Sequence, residues 1–260
     1  MVNPGRREGG GIKSIVIKSR DQIQLMREAG KIVMLTHELV QRHIKPGVTT
    51  GELNKIAHDF IRSRGASPSF LNYRDYPASI TTSVNEEIVH GIPGSRKLID
   101  GDIVGIDIGV YYKGFHGDAA RTHGVGTISA QDQLLIDTAK AAFMAALEQC
   151  TNRNHLNNIC KAIEATAKAQ GFTCPVELIG HGVGKDLHEE PDIPNVAMPK
   201  RGTRLSPGMT LAIEPMLNAG AADTIFLEDG WTALTKDGQK SAHYENTVLI
   251  TDGEPEILTV

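Results

Sequence analysis

Cysteine is scarce in this sequence and is not arranged for cross-linking. The 260 residues include three cysteines, Cys150, Cys160 and Cys174, which form no CxxC pair and leave one thiol over. This usage indicates neither a disulfide framework nor a zinc knuckle. A reducing compartment suits such a chain, and we predict that it is cytoplasmic.

Long apolar runs and an excess of basic charge are also missing. No uninterrupted apolar stretch reaches the roughly 18 residues of a membrane span. The start of the chain lacks the apolar core and cleavage site of a secretory signal. The 27 basic and 31 acidic residues give a formal net charge of -4, which provides no basic field for nucleic acid. We therefore predict no membrane partner and no specific nucleic-acid partner.

Length and apolar content indicate one compact domain. The 260 residues, 40% of them hydrophobic, can bury a sizeable core and lie near the upper size limit of a single domain. Residues 1–11 contain one proline, two arginines and four glycines and have few apolar side chains to bury. We therefore predict a flexible N-terminal tail at residues 1–11 and a single domain over residues 12–260.

Apolar residues at helical spacing predict four helices in two pairs. The first helix is capped by Asp21 and is stopped by Lys45-Pro46-Gly47. The second begins at a capping box that starts with Thr49, and it ends at Gly65. The second pair spans about residues 129–171. Each pair precedes a stretch that is rich in predicted strands.

A weak internal repeat relates the two strand-rich stretches. At a fixed offset of 107, six positions from Lys97 to Asp107 are similar to six positions from Arg204 to Glu214. The pair His90-Gly91 likewise resembles His181-Gly182. We infer a duplicated α+β unit with pseudo-symmetric halves of about 20–127 and 128–255. The strands of both halves are expected to pair into one sheet, with helices outside and polar groups converging between the halves.

Two aspartates are predicted to lie on the same face of a β-hairpin. The segment from Ile103 to Arg121 reads as a hairpin with a turn at Lys113-Gly114. A two-residue turn pairs Asp107 with Ala120, and Asp118 then lies diagonal to Asp107 at about 7 to 8 Å. Two carboxylates on one face repel each other, so this arrangement requires a cation between them.

Three further side chains complete a predicted metal site. Glu214 directly follows an apolar strand, Glu245 opens another strand, and His181 lies between two glycines. Four carboxylates and one imidazole form a mostly oxygen donor set, which suits Mn, Fe(II), Co or Zn. Their roughly four negative charges match two divalent cations. A single structural zinc would prefer cysteine and histidine.

The sequence resembles the type I methionine aminopeptidases, which share the pita-bread fold with prolidase, aminopeptidase P and creatinase. The resemblance spans residues 20–255 and implies a pseudo-two-fold α+β fold with a central antiparallel sheet and outer helices. It implies that the chain removes the initiator methionine from nascent proteins when the second residue is small. The segments that carry it are Val89-His90-Gly91-Ile92-Pro93, Gly101-Asp102-Ile103-Val104-Gly105-Ile106-Asp107, Gly114-Phe115-His116-Gly117-Asp118, Gly180-His181-Gly182-Val183-Gly184, His188-Glu189-Glu190-Pro191 and Ile213-Glu214-Pro215.

The resemblance also implies roles for individual side chains. Hydroxide activated by two divalent ions (Co, Mn, Fe(II) or Zn) would attack the first peptide bond, and Glu214 would take and pass on its proton. His90 would contact the substrate amide near the scissile bond, and His188 would stabilise the tetrahedral intermediate. Asp118 and Glu245 would bridge both ions. The implied metal ligands are Asp107, Asp118, His181, Glu214 and Glu245.

The family's methionine pocket maps onto six residues, which are Phe70, Tyr73, Tyr76, Thr81, Leu187 and Trp231. Some members have cysteine at the positions of Phe70 and Thr81 and phenylalanine at the position of Leu187. Many members have histidine where this chain has Asn246. Trp231 follows the predicted turn Asp229-Gly230, a position that suits the rim of a site.

Three other readings use the same fold. A prolidase-like dipeptidase usually has an additional N-terminal domain, and a helix that begins by Asp21 leaves no room for one. Type II methionine aminopeptidases carry a helical insertion for which the interval from His188 to Glu214 is too short. A non-catalytic binding protein would be expected to have lost ligands, and all five are here. The expected partners are peptides that begin with methionine; contact with the ribosome is a further hypothesis, and a monomer is expected.

Overall fold

The computed structural model describes residues 14–260, so the predicted tail at residues 1–11 lies outside the described residues. Within the described part there are four α-helices: α1 (Arg20–Gln41), α2 (Thr50–Ser63), α3 (Ala130–Glu148) and α4 (Leu156–Ala169). A one-turn 3-10 helix spans Tyr73–Asp75. The strands are β1 (Ser67–Pro68), β2 (Thr81–Val84), β3 (Glu87–Val89), β4 (Ile103–Tyr112), β5 (Phe115–Gly124), β6 (Ile179–Gly182), β7 (Glu189–Pro194), β8 (Thr210–Ile213), β9 (Met216–Asn218), β10 (Thr224–Phe226), β11 (Ala233–Thr235), β12 (Ser241–His243), β13 (Asn246–Leu249) and β14 (Glu256–Ile257).

The predicted helix pairs are present, and one predicted cap is wrong. Ser19, rather than Asp21, caps α1, because its side chain accepts from the backbone N–H of Gln22 and the Gln22 side chain accepts in return. Asp21 lies in the first turn, where a negative charge favours the helix dipole. The capping box that begins α2 at Thr49 is confirmed.

The long hairpin of β4 and β5 is the centre of the first sheet. Tyr112 pairs with Phe115 and Asp107 pairs with Ala120, which confirms the predicted register. The turn residues Lys113 and Gly114 both have positive φ, as a two-residue turn between twisted strands requires. On its other edge β4 pairs with β1 and β2.

The second large sheet has the strand order β14-β13-β8-β6-β7, and its pairs are antiparallel. It places His181 opposite Ala212, and Asn246 opposite Ile213. Glu214 and Glu245 therefore flank the paired ends of β8 and β13. Two small sheets, β10-β11-β3 and β12-β9, complete the described strands.

The prediction that both halves pair into one sheet is wrong in detail. The two large sheets meet where β5 passes Glu245, through hydrogen bonds between the backbone groups of Ala120 and Glu245. Beside this contact the Thr247 hydroxyl accepts from the Asp118 N–H and donates to the Asp118 carbonyl, each at 3.0 Å. At this point the Thr247 side chain takes the place of backbone-to-backbone hydrogen bonds between β5 and β13. The two strands separate here because Asp118 and Glu245 project into a shared cavity.

Each helix pair covers one large sheet. Val33 of α1 and Leu53 of α2 pack with Ile106 and Ile108 of β4, and α3 and α4 pack in the same way on β8. Full burial of such side chains contributes about 1.5–3 kcal/mol each.

Among residues 14–260 we find no helix that combines the length and apolarity needed to span a bilayer. Asp107 and Asp118 lie within β4 and β5, whereas Glu214 directly follows β8 and Glu245 directly precedes β13.

Candidate metal centre

All thirteen predicted catalytic, metal-binding and pocket residues line one cavity. The five predicted ligands come from both halves: Asp107 and Asp118 lie on the β4–β5 hairpin, and His181, Glu214 and Glu245 come from the second sheet. Tyr73, His90, His188 and the rest of the predicted pocket lie beside them. The lining residues are Phe70, Tyr73, Tyr76, Thr81, His90, Asp107, Asp118, His181, Leu187, His188, Glu214, Trp231 and Glu245.

Several of the predicted donor atoms lie close to one another. The His181 Nε2 atom lies 3.6 Å from Glu214 Oε1 and 4.0 Å from Asp118 Oδ2. Donor atoms of Asp118, His181 and Glu245 lie within 4.8 Å of one another. Two ligands on one ion, each about 2.0–2.2 Å from it, are separated by similar distances. This group can hold a divalent cation.

The tautomer of His181 is set by its neighbour. Its Nδ1 atom lies 2.8 Å from the Gly182 carbonyl oxygen, which can only accept a hydrogen bond. Nδ1 therefore carries the proton, and the lone pair of Nε2 points toward the carboxylates. This is the usual arrangement of a histidine that binds a metal.

The four carboxylates repel one another and have little contact with water: Asp118 and Glu245 are buried, and Asp107 and Glu214 are half-buried. Burial, followed by the charges of Asp118 and Glu214, raises the pKa of Asp107 well above its usual value. Burial raises the pKa of Asp118 to about 7, and it also raises the pKa values of Glu214 and Glu245. One oxygen each of Asp107, Asp118 and Glu245 is buried without a hydrogen-bond partner. Divalent cations would satisfy these oxygens and balance the charge, so the donor set fits them.

Two histidines flank the carboxylates. His90 has a φ of 63°, a left-handed conformation that a non-glycine residue rarely adopts, and its ring lies edge-on to Trp231. The His188 ring is centred 4.1 Å from that of His181, and its Nδ1 atom lies 2.8 Å from the Tyr73 hydroxyl. The surrounding fold therefore determines the orientation of both imidazoles.

An apolar pocket opens beside the predicted metal ligands. Phe70, Tyr76 and Leu187 are buried and form one cluster, with Tyr73 and Trp231 packed against it. The Tyr76 hydroxyl donates to backbone carbonyl groups at 3.0–3.1 Å, which leaves the aromatic face for the pocket. Tyr76 and Trp231 meet edge to face, with ring centres 5.0 Å apart. Such a pocket suits an unbranched apolar side chain.

Asn246 faces away from this cavity. Its Oδ1 atom accepts from Arg121 at 2.6 Å and from the Thr259 hydroxyl at 3.0 Å, and neither residue lines the cavity. Arg121 also donates to the Glu245 carbonyl and lies over the Tyr244 ring. Asparagine in place of the family's histidine at position 246 therefore affects the hydrogen bonds behind Glu245. It does not alter the five predicted metal ligands.

The sequence analysis missed one residue of this region, His243. Its Nε2 atom lies 3.5 Å from Glu214 Oε2 and 3.8 Å from Glu245 Oε2. A signal was available, because residues two apart in an extended chain face the same side. His243 stands two positions before Glu245 and therefore shares its face.

Comparisons with known proteins agree with this geometry. The model of metallopeptidase family M24 matches residues 24–252. Methionine aminopeptidase 1 of Bacillus subtilis is 49% identical over 245 residues, 94% of this chain and 99% of that protein. Methionine aminopeptidase of Escherichia coli is 40% identical over 249 residues, 95% of this chain and 94% of that protein.

Solved structures give the same result. The crystal structure of methionine aminopeptidase from Rickettsia prowazekii superposes with a TM-score of 0.93 at 38% identity and covers 95% of this chain and 100% of that one. Prolidase from Pyrococcus furiosus, at 23% identity and a TM-score of 0.75, covers 94% of this chain and 65% of that one and shares the fold alone. These likenesses confirm the predicted pita-bread architecture. The chain therefore belongs to metallopeptidase family M24, in which it groups with the methionine aminopeptidases.

Proposed function

We propose that this chain is a metal-dependent aminopeptidase that removes methionine from the N-terminus of peptides and nascent proteins when the second residue is small. One observation carries this proposal: five predicted metal ligands and an aromatic pocket open into the same cavity. The names of the relatives support the choice of methionine as the first residue.

The proposed cofactor is a pair of divalent cations of Co, Mn, Fe(II) or Zn. Asp107, Asp118, His181, Glu214 and Glu245 would hold them, and two cations would balance four buried carboxylates. Bound cations of this kind supply an activated water at neutral pH and polarise a peptide carbonyl.

The pocket selects and orients the substrate. A methionine side chain enters between Phe70, Tyr76 and Trp231, where its sulfur contacts aromatic rings and its methylene groups are removed from water. This places the first peptide bond at the carboxylates, since the pocket and the donor set share one cavity. Burial of Leu187 closes the pocket and limits the length of the first side chain.

The remaining chemistry is proton transfer and charge stabilisation. The Glu214 carboxylate accepts a proton from the attacking water and passes it to the leaving amine. His90 hydrogen-bonds the substrate amide, and His188, held by Tyr73, stabilises the oxyanion that develops on the carbonyl. We assign His90, His188 and Glu214 as the catalytic residues.

A pair of tripeptides tests this proposal. The purified protein with Mn or Co is expected to release methionine from Met-Ala-Ser but not from Met-Lys-Ser, because a narrow cleft excludes a long second side chain. Glu214→Gln is expected to lower kcat by about 10²–10⁴-fold, since it removes the proton acceptor. Release of methionine would be followed by chromatography alongside the metal content of each sample.

Other outcomes separate the alternatives. Equal cleavage of both tripeptides would refute the stated specificity. Cleavage of Xaa-Pro dipeptides, with Met-Ala-Ser left intact, would indicate a prolidase-like dipeptidase, and metal binding without cleavage would indicate a binding protein. Contact with the ribosome stays a hypothesis, and a pelleting assay without co-sedimentation would remove it.

A further inference from the structure

We propose that His243 is a positioning residue of the metal centre, which donates a hydrogen bond from Nε2 to Glu214 Oε2 and so fixes the orientation of that carboxylate. The role of Glu214 rests on the proposed function. The contact between the two side chains rests on the geometry alone.

The backbone holds His243 firmly beside Glu214. His243 ends β12 and pairs with Met216 of β9, two residues beyond Glu214. The backbone N–H of His243 donates to the Thr122 hydroxyl at 2.9 Å, and that hydroxyl donates to the backbone carbonyl of His243 at 3.0 Å. Since β9 and β5 both hold this residue, its side chain, which is 5% exposed, has little freedom to turn away.

The two oxygens of Glu214 face different imidazoles. Oε1 lies 3.6 Å from His181 Nε2, which carries a lone pair and cannot donate. Oε2 lies 3.5 Å from His243 Nε2. Oε1 therefore faces the donor atoms that would hold a cation, and Oε2 is the oxygen that a neighbouring donor can satisfy.

The His243 Nε2 atom is a buried polar atom without a hydrogen-bond partner. The acceptors nearest to it are the carboxylate oxygens of Glu214 and Glu245, which favour the tautomer with its proton on Nε2. A shift of a few tenths of an ångström toward Glu214 makes an ordinary N–H···O bond. That one bond satisfies the buried His243 donor and gives Glu214 Oε2 a hydrogen-bond donor.

Charge balance favours His243 as a hydrogen-bond donor to Glu214 rather than as a ligand of a further cation. Donor atoms of Glu214, His243 and Glu245 also lie within 4.8 Å of one another, so they could in principle surround a cation of their own. The two divalent cations of the proposed function would balance the four carboxylates. A third would leave two uncompensated positive charges in a buried site, which is strongly unfavourable. His243 therefore acts through Glu214.

Three substitutions of His243 test this assignment. His243→Leu removes the donor and keeps much of the volume, His243→Asn keeps a polar group that is too short to reach, and His243→Gln restores an N–H donor near the position of Nε2. His58→Leu is the matched control, because His58, on α2, hydrogen-bonds the Ser79 hydroxyl and does not line the cavity. Each variant is titrated with cobalt chloride by calorimetry, its Co²⁺ visible spectrum is recorded, and kcat and KM are measured on Met-Ala-Ser.

We expect His243→Leu and His243→Asn to lower Co²⁺ affinity or kcat by about 10–100-fold, with KM changed less than about threefold. His243→Gln should recover most of the loss, and its Co²⁺ spectrum should match that of the wild type, because no nitrogen leaves the cation. His58→Leu should leave all three readouts unchanged.

Wild-type Co²⁺ affinity and kcat in either donor-free variant would overturn the proposal. So would a His243→Gln variant as weak as His243→Leu with an altered Co²⁺ spectrum, because that result makes His243 a direct ligand. If the wild-type chain binds Co²⁺ but releases no methionine, the proposed function fails. The Co²⁺ affinities of the variants then still decide the role of His243.

Discussion

At the scale of single residues, the contact between Tyr73 and His188 is tightly constrained. The Tyr73 hydroxyl lies 2.8 Å from His188 Nδ1, and the two rings stack 5.2 Å apart. Around Tyr73, the residues Asn72, Arg74 and Asp75 all have φ between 48° and 68°, which is strained for non-glycine residues. Strain of this kind persists where the surrounding structure requires one geometry, and here it lies on both sides of the residue that contacts His188.

We expect Tyr73→Phe to lower kcat on Met-Ala-Ser by about 5–10-fold. The variant loses one hydrogen bond to a group that stabilises charge and retains the stacked ring. Steady-state kinetics with saturating metal measures the effect, and Tyr112→Phe on β4, outside the cavity, serves as the control. An unchanged kcat would show that stacking alone orients His188.

At the scale of elements, the segment before α1 supports the loop that carries His188. Lys18 Nζ lies 2.5 Å from Glu189 Oε2, and their side chains are only 2% and 8% exposed. The other oxygen of Glu189 accepts from the backbone N–H groups of Lys185 and Asp186. Burial lowers the pKa of Lys18, although Glu189 partly opposes this effect. The pair therefore joins the start of the described chain to the site.

We expect Lys18→Met to reduce the free energy of unfolding by about 3–5 kcal/mol, because Glu189 would remain buried without a cation. The double variant Lys18→Met/Glu189→Gln should recover a large part of this loss, since it removes the unpaired charge and keeps an acceptor for the loop. Urea denaturation measures both. A single variant that loses less than about 1 kcal/mol would contradict the buried ion pair.

At the scale of the whole molecule, the halves are held together at the backbone of a predicted ligand. Thr247 is fully buried, and its hydroxyl makes both hydrogen bonds to the Asp118 backbone. Thr247→Val keeps the shape and leaves a buried N–H and a buried carbonyl unpaired. We expect a loss of about 1–3 kcal/mol in stability, measured by urea denaturation, together with weaker Co²⁺ binding. Unchanged stability would mean that other contacts hold the two halves together.

The charge of the whole centre should make the metal-free protein sensitive to pH. An acid whose folded pKa is raised loses its stabilising contribution as pH rises through that value, and for Asp118 the folded pKa is about 7. Burial lowers the pKa of His90 and of His116 to about 4, so these residues destabilise the fold only below their unfolded pKa of about 6.5. Between pH 6.5 and 8 the carboxylates therefore dominate.

We expect the stability of the metal-free protein to fall by about 1 kcal/mol in total from pH 6.5 to 8, because the folded pKa of Asp118 lies within this window. Added Mn or Co should abolish this fall, because bound cations stabilise the charged carboxylates. Thermal or urea unfolding with and without a chelator measures the difference. A flat profile in the chelated protein would show that the four carboxylates do not repel one another as their burial implies.

Much of this protein could be inferred from local patterns. Alternation of apolar residues and the Lys113-Gly114 turn were sufficient for the β4–β5 register, because the pairing in a hairpin follows from its turn. The capping box at Thr49 located α2 because its hydrogen bonds lie within four residues. The predicted cap at Asp21 was wrong because Ser19 offers a competing local acceptor, which spacing alone does not rank.

The remainder depended on contacts between residues distant in the chain. The separation of the two large sheets at Ala120 and Glu245, and the approach of His243 to Glu214, arise where the halves meet, and no local periodicity encodes that approach. Residue types and strand positions identified which side chains could bind a cation, because alternation and charge are local properties. The distances among those side chains, and therefore the shape and electrostatics of the site, were decided by long-range packing of both halves.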